Sequence, residues 1–284
     1  MKKILRSIWN AFAHLWGRLS GKYYCEDFIR VYPDNMVFNR FGRKRQATAD
    51  EIRNYQNHQK FYHFAAQFVP GAKVADIGCG SGHGCAILSE SGAAGVWGAD
   101  VSRHSLDFAR KRFGSIARFS EQGITSLKDF EDDFFDVTIS SEVLEHILEY
   151  GKEDEAVAEL KRVTRSGGIV IIGTPNSELA PDHGFPFEVI DLLMQRHFPR
   201  YCIFENALIP FGKSRTSWDE RLTKGKTGVI VTQKINFEET LLPAEVIPEI
   251  KRGLEPGPYR LGDLEIDTRL LHNTHSWAVV AVKD

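Results

Sequence analysis

The amino-acid sequence predicts an α/β fold, in which a mainly parallel, doubly wound sheet of seven strands is covered by helices on both faces. Three observations favour this fold. From Lys73 onward, short runs of strand-forming residues alternate with stretches of helical periodicity. The first run leads into a glycine-rich turn and then a helical stretch, and the second run ends in Asp100, just before the helix-capping Ser102. This order of elements is typical of a Rossmann-like domain.

Each element has its own sequence signal. The strand-forming runs predict strands at 73–77, 95–99, 116–120, 134–140, 168–173, 201–207 and 277–282. The helical periodicity between them predicts helices at 83–91, 103–113, 142–149, 153–165 and 186–196. Upstream, Thr48 and Glu51 have the spacing of a capping box, which predicts a helix that begins there and stops at Pro70-Gly71.

The domain organisation follows from where this alternation starts and where it is interrupted. Residues 1–70 are expected to form an N-terminal helical extension, and residues 71–284 the main domain. The proline-containing region 209–273 is less regular, which predicts an insertion before the last strand. Such an insertion would lie near the edge of the sheet, where it could cover or extend a substrate site or form an oligomer contact. The sequence leaves these alternatives and the oligomeric state open.

The N-terminal residues form a pattern of their own. Residues 2–19 carry apolar side chains at helical spacing with lysines and arginines between them, which predicts a basic amphipathic helix. This helix suits peripheral contact with a membrane, and it equally suits packing on the protein's own core or on a second subunit. Residues 20–47 contain turn signals and a basic cluster, which predict a solvated loop; the cluster is Arg40, Arg43, Lys44 and Arg45.

Composition narrows the functional classes. The chain has 284 residues and a formal net charge of −2, so no overall field attracts it to nucleic acid, which is not an expected partner. No apolar run has the length of a transmembrane helix, and no cleavable signal is evident. The four cysteines match neither a zinc spacing nor a disulfide framework. We therefore expect a cytoplasmic protein, with residues 2–19 as a route to peripheral membrane contact.

The glycine-rich turn after the first strand predicts a ligand site. Gly78, Gly80 and Gly82 let the backbone approach a ligand closely, and the helix that follows presents free N–H groups. Asp76, at the end of the strand, would suit a cationic ligand. Asp100, at the end of the next strand, can accept two hydrogen bonds from vicinal ribose hydroxyls. The glycine spacing differs from the dinucleotide fingerprint because position 83 is histidine, and a Rossmann-type domain that binds another nucleotide is the alternative.

Four strings carry a resemblance to a known family: VADIGCGSGHG, GADVS, FDVTISSEVLEHI and LKRVTRSGGIVIIGTPN. Within residues 73–176, they resemble the class I S-adenosylmethionine-dependent methyltransferases, and in particular the ubiquinone-biosynthesis O-methyltransferases. The resemblance implies S-adenosylmethionine as the cofactor. It implies that Asp76 and the loop at 78–82 hold the methionine moiety, that Asp100 holds the ribose, and that Val101, Gly123 and Ile124 border the adenine. The implied cofactor residues are Asp76, Gly78, Cys79, Gly80, Gly82, Asp100, Val101, Gly123, Ile124 and Ser141.

The methyl acceptor is expected beyond the fourth strand. A helix over 142–149 would present Glu142, Glu145 and His146 on one face, at positions i, i+3 and i+4. The imidazole of His146 could take a proton from a hydroxyl or amine as it attacks the methyl group, with Glu142 orienting it or contacting substrate. In a second interpretation, Glu145 and His146 make only structural or solvent contacts, and Glu142 lines the cofactor pocket.

A third interpretation of the same residues is a divalent metal site. Glu142, Glu145 and His146 could be joined by His183 to give a mixed oxygen and nitrogen ligand set, which suits manganese or zinc better than magnesium. This arrangement resembles the E-x-x-E-H run that is linked to metal-assisted transfer in small-RNA 2′-O-methyltransferases and in ubiquinone-biosynthesis O-methyltransferases.

Three functions remain open. The leading one is a methyltransferase that acts on a small-molecule, sugar or lipid-linked acceptor, at oxygen; because in-line positioning supplies much of the rate, a catalytic base can be dispensable. The second is RNA 2′-O-methylation with a divalent metal, which the basic cluster at 40–45 favours and the near-neutral net charge opposes. The third is a noncatalytic scaffold that binds the cofactor.

Overall fold

A computed structural model describes seven stretches of the chain, residues 36–38, 44–148, 150–177, 184–207, 220–224, 229–235 and 274–284. Four of the regions singled out above fall wholly or mostly outside these stretches. They are the predicted helix at 2–19, most of the predicted loop at 20–47, His183, and most of the region 209–273.

The described residues form strands and helices close to the predicted ones. The strands are β1 (Met36–Phe38), β2 (Lys44–Gln46), β3 (Lys73–Ile77), β4 (Gly95–Asp100), β5 (Arg118–Glu121), β6 (Phe135–Ser141), β7 (Thr164–Pro175), β8 (Arg200–Ala207), β9 (Glu220–Lys224), β10 (Val229–Ile235) and β11 (Thr274–Val282). The helices are α1 (Ala49–Ala65), α2 (His83–Glu90), α3 (Arg103–Phe113), α4 (Leu144–Leu148), α5 (Glu153–Val163) and α6 (Phe187–His197). A short 3₁₀ turn, Ala66–Phe68, follows α1.

The predicted seven-stranded sheet is confirmed and is longer than predicted. In the described chain its order is β5-β4-β3-β6-β7-β11-β8-β10-β9. The strands from β5 to β7 are mutually parallel, whereas β11 runs antiparallel to both β7 and β8. The two additional strands, β10 and β9, come from the region 209–273 and extend the sheet beyond β8. The interpretation of that whole region as an insertion stays a prediction.

The sheet is buried on both faces. Along β3, the side chain of Val74 packs with α1 and α2 on one face, whereas Ala75 and Ile77 pack with α5 and α6 on the other. This alternation is the ordinary two-residue period of a strand. Helices on both faces therefore enclose the central strands, and the carboxyl ends of β3, β4 and β6 meet at one edge of the sheet.

Helix α1 begins at the predicted capping box and ends inside the hydrophobic core on the face of the sheet that carries Val74. The N–H of Glu51 donates to Thr48 Oγ1, and the N–H of Thr48 donates to Glu51 Oε2 at 2.9 Å. The last two turns of α1 place Phe61, Tyr62 and Phe64 in the core beside β3 and α2. The helix thus packs on the sheet, although the division of the chain at residue 70 stays a prediction. No helix in the described stretches is both long and apolar enough to cross a membrane.

Candidate functional site

The glycine loop lies between β3 and α2 in a conformation that requires glycine. Gly78, Gly80 and Gly82 have φ angles of +80°, +50° and +80°, in the left-handed region that side chains disfavour. A Cβ at Gly78 would overlap the side chain of Val143, and one at Gly82 would lie 2.9 Å from the Cβ of Ala109. The backbone therefore turns where neighbouring elements leave no room for a side chain.

Backbone hydrogen bonds tie this loop to the end of β4. The N–H groups of Gly78 and Cys79 donate to the carbonyl of Ala99 at 2.7 and 3.0 Å. The N–H of Gly80 donates to Asp100 Oδ2 at 2.8 Å, and the N–H of Ser102 donates to Asp100 Oδ1 at 2.7 Å. These contacts bring together the loop and the acid that the sequence predicts to hold a ribose.

The carboxylate of Asp100 is oriented but not saturated. Oδ2 accepts the N–H of Gly80 and Oδ1 that of Ser102, the backbone of Val101 also contributes, and a carboxylate has about four acceptor positions, so capacity for a ligand hydroxyl is left. Burial raises the pKa of Asp100, while three backbone hydrogen bonds, from Ser102, Gly80 and Val101, oppose that rise. A ligand with vicinal hydroxyls would therefore meet a preoriented acceptor.

Asp76 lies beneath the loop and is fully buried. Its Oδ1 accepts a hydrogen bond from the hydroxyl of Tyr62 at 2.9 Å, and its Oδ2 accepts one from the thiol of Cys85 at 3.3 Å. Burial raises the pKa of Asp76 to about 7, and the nearby charge of Asp100 contributes to the rise. The two acids are thus neighbours, although Asp76 has no surface open to a ligand in this conformation.

Sequence reasoning missed Tyr62 and Cys85 as partners of Asp76. Tyr62 stands on the apolar face of a predicted helix, and a tyrosine buried on such a face usually needs a hydrogen-bond acceptor for its hydroxyl. That expectation is the signal that could have identified Tyr62. Which acceptor it meets depends on how α1 lies across the sheet.

The residues expected beside adenine are partly brought together. Val101 is 73% exposed, which is unusual for a large apolar side chain, and a Cβ on Gly123 would lie 3.3 Å from its Cγ1. An exposed apolar side chain beside a bare backbone suits one face of a planar ring. The side chain of Ile124 packs in the core instead, so only its backbone faces this part of the site.

The remaining two cofactor candidates also contribute mainly backbone. Cys79 is 2% exposed, and its side chain packs in the hydrophobic core on the face of the sheet that carries Val74. Ser141 is 8% exposed and is the last residue of β6. Their backbones lie at the ligand-facing edge of the sheet.

The predicted helix over 142–149 is wrong at its start. Glu142 has a φ of +55°, which a right-handed helix does not allow, and α4 begins only at Leu144. The physical reason is a strand contact. The N–H of Glu142 donates to the carbonyl of Gly173 in β7 at 2.8 Å, which continues the β6–β7 pairing past the predicted helix start.

The expectation that Glu142, Glu145 and His146 share one helical face is therefore wrong. Glu142 precedes the helix, and the other two side chains lie in different environments. Glu145 is 7% exposed, and its Oε2 accepts a hydrogen bond from the hydroxyl of Thr174 at 3.1 Å. His146 is exposed to solvent.

Glu142 and Glu145 nevertheless form an acidic pair. Burial and the charge of Glu145 raise the pKa of Glu142 to about 8. Burial also raises the pKa of Glu145 to about 7, against the hydrogen bond from Thr174. Two like charges in a poorly solvated place resist ionising together, so the pair holds at least one proton near neutral pH.

The metal hypothesis finds no support in the described stretches. Among those residues, no group of three or more His, Cys, Asp or Glu side chains could hold a metal ion. The fourth suggested ligand, His183, lies outside them. Because Glu142 precedes α4, the predicted helical face with three ligands is not formed.

Comparisons with known proteins find a methyltransferase domain in this chain. The family model of a methyltransferase domain matches residues 75–172. An uncharacterized 37.1 kDa protein in transposon TN4556 of Streptomyces fradiae is 29% identical over 213 residues, which are 73% of this chain and 56% of that protein. A ubiquinone biosynthesis O-methyltransferase of Mesorhizobium japonicum is 32% identical over 117 residues, which are 40% of this chain and 45% of that protein. The chain thus spans about half the length of the curated relatives it matches.

A solved structure shares the fold. The S-adenosylmethionine-dependent methyltransferase from Archaeoglobus fulgidus superposes with a TM-score of 0.50 at 17% sequence identity, over 84% of this chain and 95% of that one. The family match begins in β3 and ends in β7, so it contains the glycine loop, Asp100 and the acidic pair. The glycine cradle, the preoriented Asp100 and the exposed Val101 fit the amino-acid, ribose and adenine parts of S-adenosylmethionine. The match over residues 75–172 therefore supports the predicted S-adenosylmethionine-dependent methyltransferase domain in this part of the chain.

Proposed function

We propose that this protein transfers a methyl group from S-adenosylmethionine to an oxygen atom of a small-molecule, sugar or lipid-linked acceptor. The observation that carries the proposal is the 2.8 Å hydrogen bond between the N–H of Gly80 and Asp100, because it joins the two halves of a nucleoside-binding cradle. Around that bond, the glycine loop would hold the amino-acid end of the cofactor, Asp100 would accept the ribose hydroxyls, and Val101 would cover one face of the adenine.

When bound, S-adenosylmethionine supplies an electrophilic methyl group, whose bond to sulfur breaks as the acceptor oxygen forms its bond to carbon. The protein's part is to align the acceptor with that methyl group and to receive the acceptor's proton. Glu142 is our candidate for the proton acceptor. It directly follows β6, at the edge where ligands of such sheets lie, and its pKa of about 8 is close to working pH.

Two neighbours of Glu142 are weaker candidates for this role. His146 is exposed to solvent. Glu145 accepts a hydrogen bond from Thr174, which suits a group that tunes Glu142 by its charge. A divalent metal is not part of the proposal.

The choice of oxygen as the acceptor atom rests on the relative named as a ubiquinone biosynthesis O-methyltransferase. A lipid-linked acceptor would agree with a membrane-contacting role for residues 2–19, which carry apolar side chains at helical spacing with basic side chains between them. We further propose a cytoplasmic location, which the scattered cysteines favour. Fractionation of cells into cytosol and membrane, with and without residues 1–19, tests both statements.

Cofactor binding is tested first by calorimetry with S-adenosylmethionine. We expect Asp100→Ala to weaken binding by about 100-fold, because two charge-assisted hydrogen bonds and the loop tether are lost. Glu121→Gln is the matched control, since Glu121 pairs with Asp100 in the sheet register but is exposed at the end of β5. Equal affinity of wild type and Asp100→Ala would reject the assignment of the site.

Methyl transfer is tested with tritium-labelled cofactor and fractionated extracts as acceptors, followed by mass identification of the product. Label in a small polar, glycan or lipid fraction at oxygen supports the proposal. Label in the RNA fraction, abolished by a chelator, would replace it with the metal-assisted alternative. Cofactor binding without transfer to any fraction would favour the scaffold function.

A further inference from the structure

One buried hydrogen bond connects α1 with the strand that carries Asp76. The hydroxyl of Tyr62 donates to Asp76 Oδ1 at 2.9 Å, and the two side chains are 3% and 0% exposed. Tyr62 precedes β3 by eleven residues, outside the segment that the family model matches. The contact therefore adds a residue to the cofactor site that neither the glycine loop nor the family match contains.

Close packing fixes the position of the Tyr62 hydroxyl. A Cβ on Gly84 would overlap the Tyr62 ring, so the ring lies directly on the backbone of α2. The ring of His83 meets it edge to face, with centroids 5.6 Å apart, and the ring of Phe61 does the same at 5.8 Å. A ring held on these sides can present its hydroxyl in only one direction.

Tyr62 is also the stronger of the two donors to Asp76. The other oxygen of the carboxylate is contacted by the thiol of Cys85 at 3.3 Å, and a thiol is a weak donor. The remaining titratable groups that influence Asp76 are Asp100 on β4 and Cys79 in the loop, through their effects on Asp76, Tyr62 or Cys85. Tyr62 therefore provides most of the hydrogen bonding that compensates this buried charge.

We propose that Tyr62 is a positioning residue of the cofactor site, whose hydroxyl holds Asp76 in its charged form beneath the glycine loop. There the negative charge attracts the ammonium end of S-adenosylmethionine through a medium of low dielectric, without direct contact. This inference rests on the proposed function, because it assumes the same ligand in the same loop. It also makes α1 part of the cofactor-binding unit.

The test is the pH dependence of cofactor affinity in Tyr62→Phe. In wild type, affinity should rise as pH increases through about 7, because Asp76 then loses its proton. Removing a donor to the charged carboxylate raises its pKa, so the rise in Tyr62→Phe should move to higher pH by about one unit. We expect binding about 5-fold weaker at pH 7 and nearly equal at pH 9, for both S-adenosylmethionine and S-adenosylhomocysteine.

Two further variants separate this role from simple packing. Tyr55→Phe removes a hydroxyl from the same helix and from a ring that also lies 5.6 Å from His83, and it should leave the profile unchanged. Asp76→Asn should remove the pH dependence, and adding Tyr62→Phe to it should have no further effect. If Tyr62→Phe lost cofactor affinity equally at every pH, or had the same pH profile of affinity as wild type, the proposed role of Tyr62 would be overturned.

Thermal unfolding keeps the inference testable if Tyr62→Phe folds poorly. The variant should lose stability more steeply with rising pH than wild type does, and Asp76→Asn should restore it, because the uncompensated charge is then absent. A loss that Asp76→Asn does not restore would assign Tyr62 to packing alone. If wild type binds neither ligand at any pH, the proposed function itself fails, which is a different result from intact binding with an unchanged profile in Tyr62→Phe.

Discussion

The cofactor side and the acceptor side of this site are built in different ways. On the cofactor side, consecutive residues from Gly78 to Gly82 turn sharply and are tied by backbone N–H groups to the end of β4. On the acceptor side, Glu142 and Glu145 acquire their properties from burial, from each other and from β7, which lies about thirty residues further along the chain. The turn of the glycine loop is encoded by neighbouring residues, so it can be recognised in a sequence. The raised pKa values of Glu142 and Glu145 arise only when folding brings distant segments together.

The largest effect is expected from a methyl group in the loop. Gly78→Ala meets both a φ of +80° and the side chain of Val143, so cofactor affinity should fall by about 100-fold or more. Gly92→Ala is the control, since Gly92 has a φ of +89° but nothing lies within 4 Å of an added Cβ. It should lose about 1–2 kcal/mol of unfolding free energy and keep its affinity. Calorimetry measures the affinity, and urea unfolding measures the free energy of unfolding. Equal affinities of wild type and Gly78→Ala would mean that the loop accommodates the added methyl group.

The next effect concerns the acceptor side. Glu142→Gln should lower kcat by about 100-fold while S-adenosylmethionine affinity stays within about twofold, because the proton acceptor is lost and the cradle is not. The wild-type rate should increase as pH rises toward 8, as Glu142 ionises, and this limb should be absent in Glu142→Gln. His146→Ala should keep both rate and profile. Steady-state kinetics from pH 6 to pH 10 measure kcat and its pH profile. A loss of kcat and of its pH dependence in His146→Ala, but not in Glu142→Gln, would identify His146 as the base.

A smaller effect is expected on the pH dependence of stability, to which buried acids of both sides contribute. Burial raises the pKa values of Asp76, Glu142 and Glu145 to about 7, 8 and 7, so these three groups bind more protons in the folded chain than in the unfolded chain. Buried His83, whose pKa is lowered to about 3, opposes them below about pH 6.5, so the three acids decide the pH dependence between about pH 6.5 and pH 8.5. The free energy of unfolding should therefore fall as pH rises through this range. Without ligand, Tm should be several degrees lower at pH 8.5 than at pH 6. Scanning fluorimetry measures it.

The control for that experiment is a variant with one acid fewer. Glu142→Gln should flatten the dependence of Tm on pH, since one of the three raised groups no longer titrates. A Tm that increases with pH in the wild type would contradict the burial of these acids, because it would require their folded pKa values to lie below the unfolded ones.

The smallest effect is expected far from both sides, at the start of α1. Thr48→Ala removes the capping box with Glu51 and should cost about 1 kcal/mol of unfolding free energy. Cofactor affinity should stay within about twofold, because Tyr62 lies near the other end of the helix. Urea unfolding and calorimetry measure the two quantities. A large loss of affinity would mean that α1 transmits changes along its whole length to Asp76.

Elements with local signals were predicted at their actual bounds. The strand at 73–77 and the helix at 103–113 coincide with β3 and α3, because a glycine turn marks the end of one and the Ser102 cap marks the start of the other. The pairing of Asp100 with the loop was likewise foreseeable, since parallel strands bring their carboxyl ends to one edge.

Elements that depend on long-range pairing were not foreseeable. The start of α4 was misplaced because the N–H of Glu142 bonds to β7, which the local periodicity does not record. Strands β9 and β10 were left within an irregular region, because β10 is completed by parallel pairing with β8. The partner of Tyr62 was missed for the same reason. In each case the deciding contact joins segments that are distant in sequence.

The position of β11 affects when the fold can be completed. This strand, residues 274–282, lies between β7 and β8, and in the described sheet β8, β10 and β9 reach the other strands only through it. Before residues 274–282 have been synthesised, the parallel strands from β5 to β7 can pair with one another. Strands β8, β10 and β9, however, have no strand that joins them to β7. Until β11 has been synthesised, the edge of β7 is open, which leaves the nascent chain exposed to aggregation and to chaperone binding.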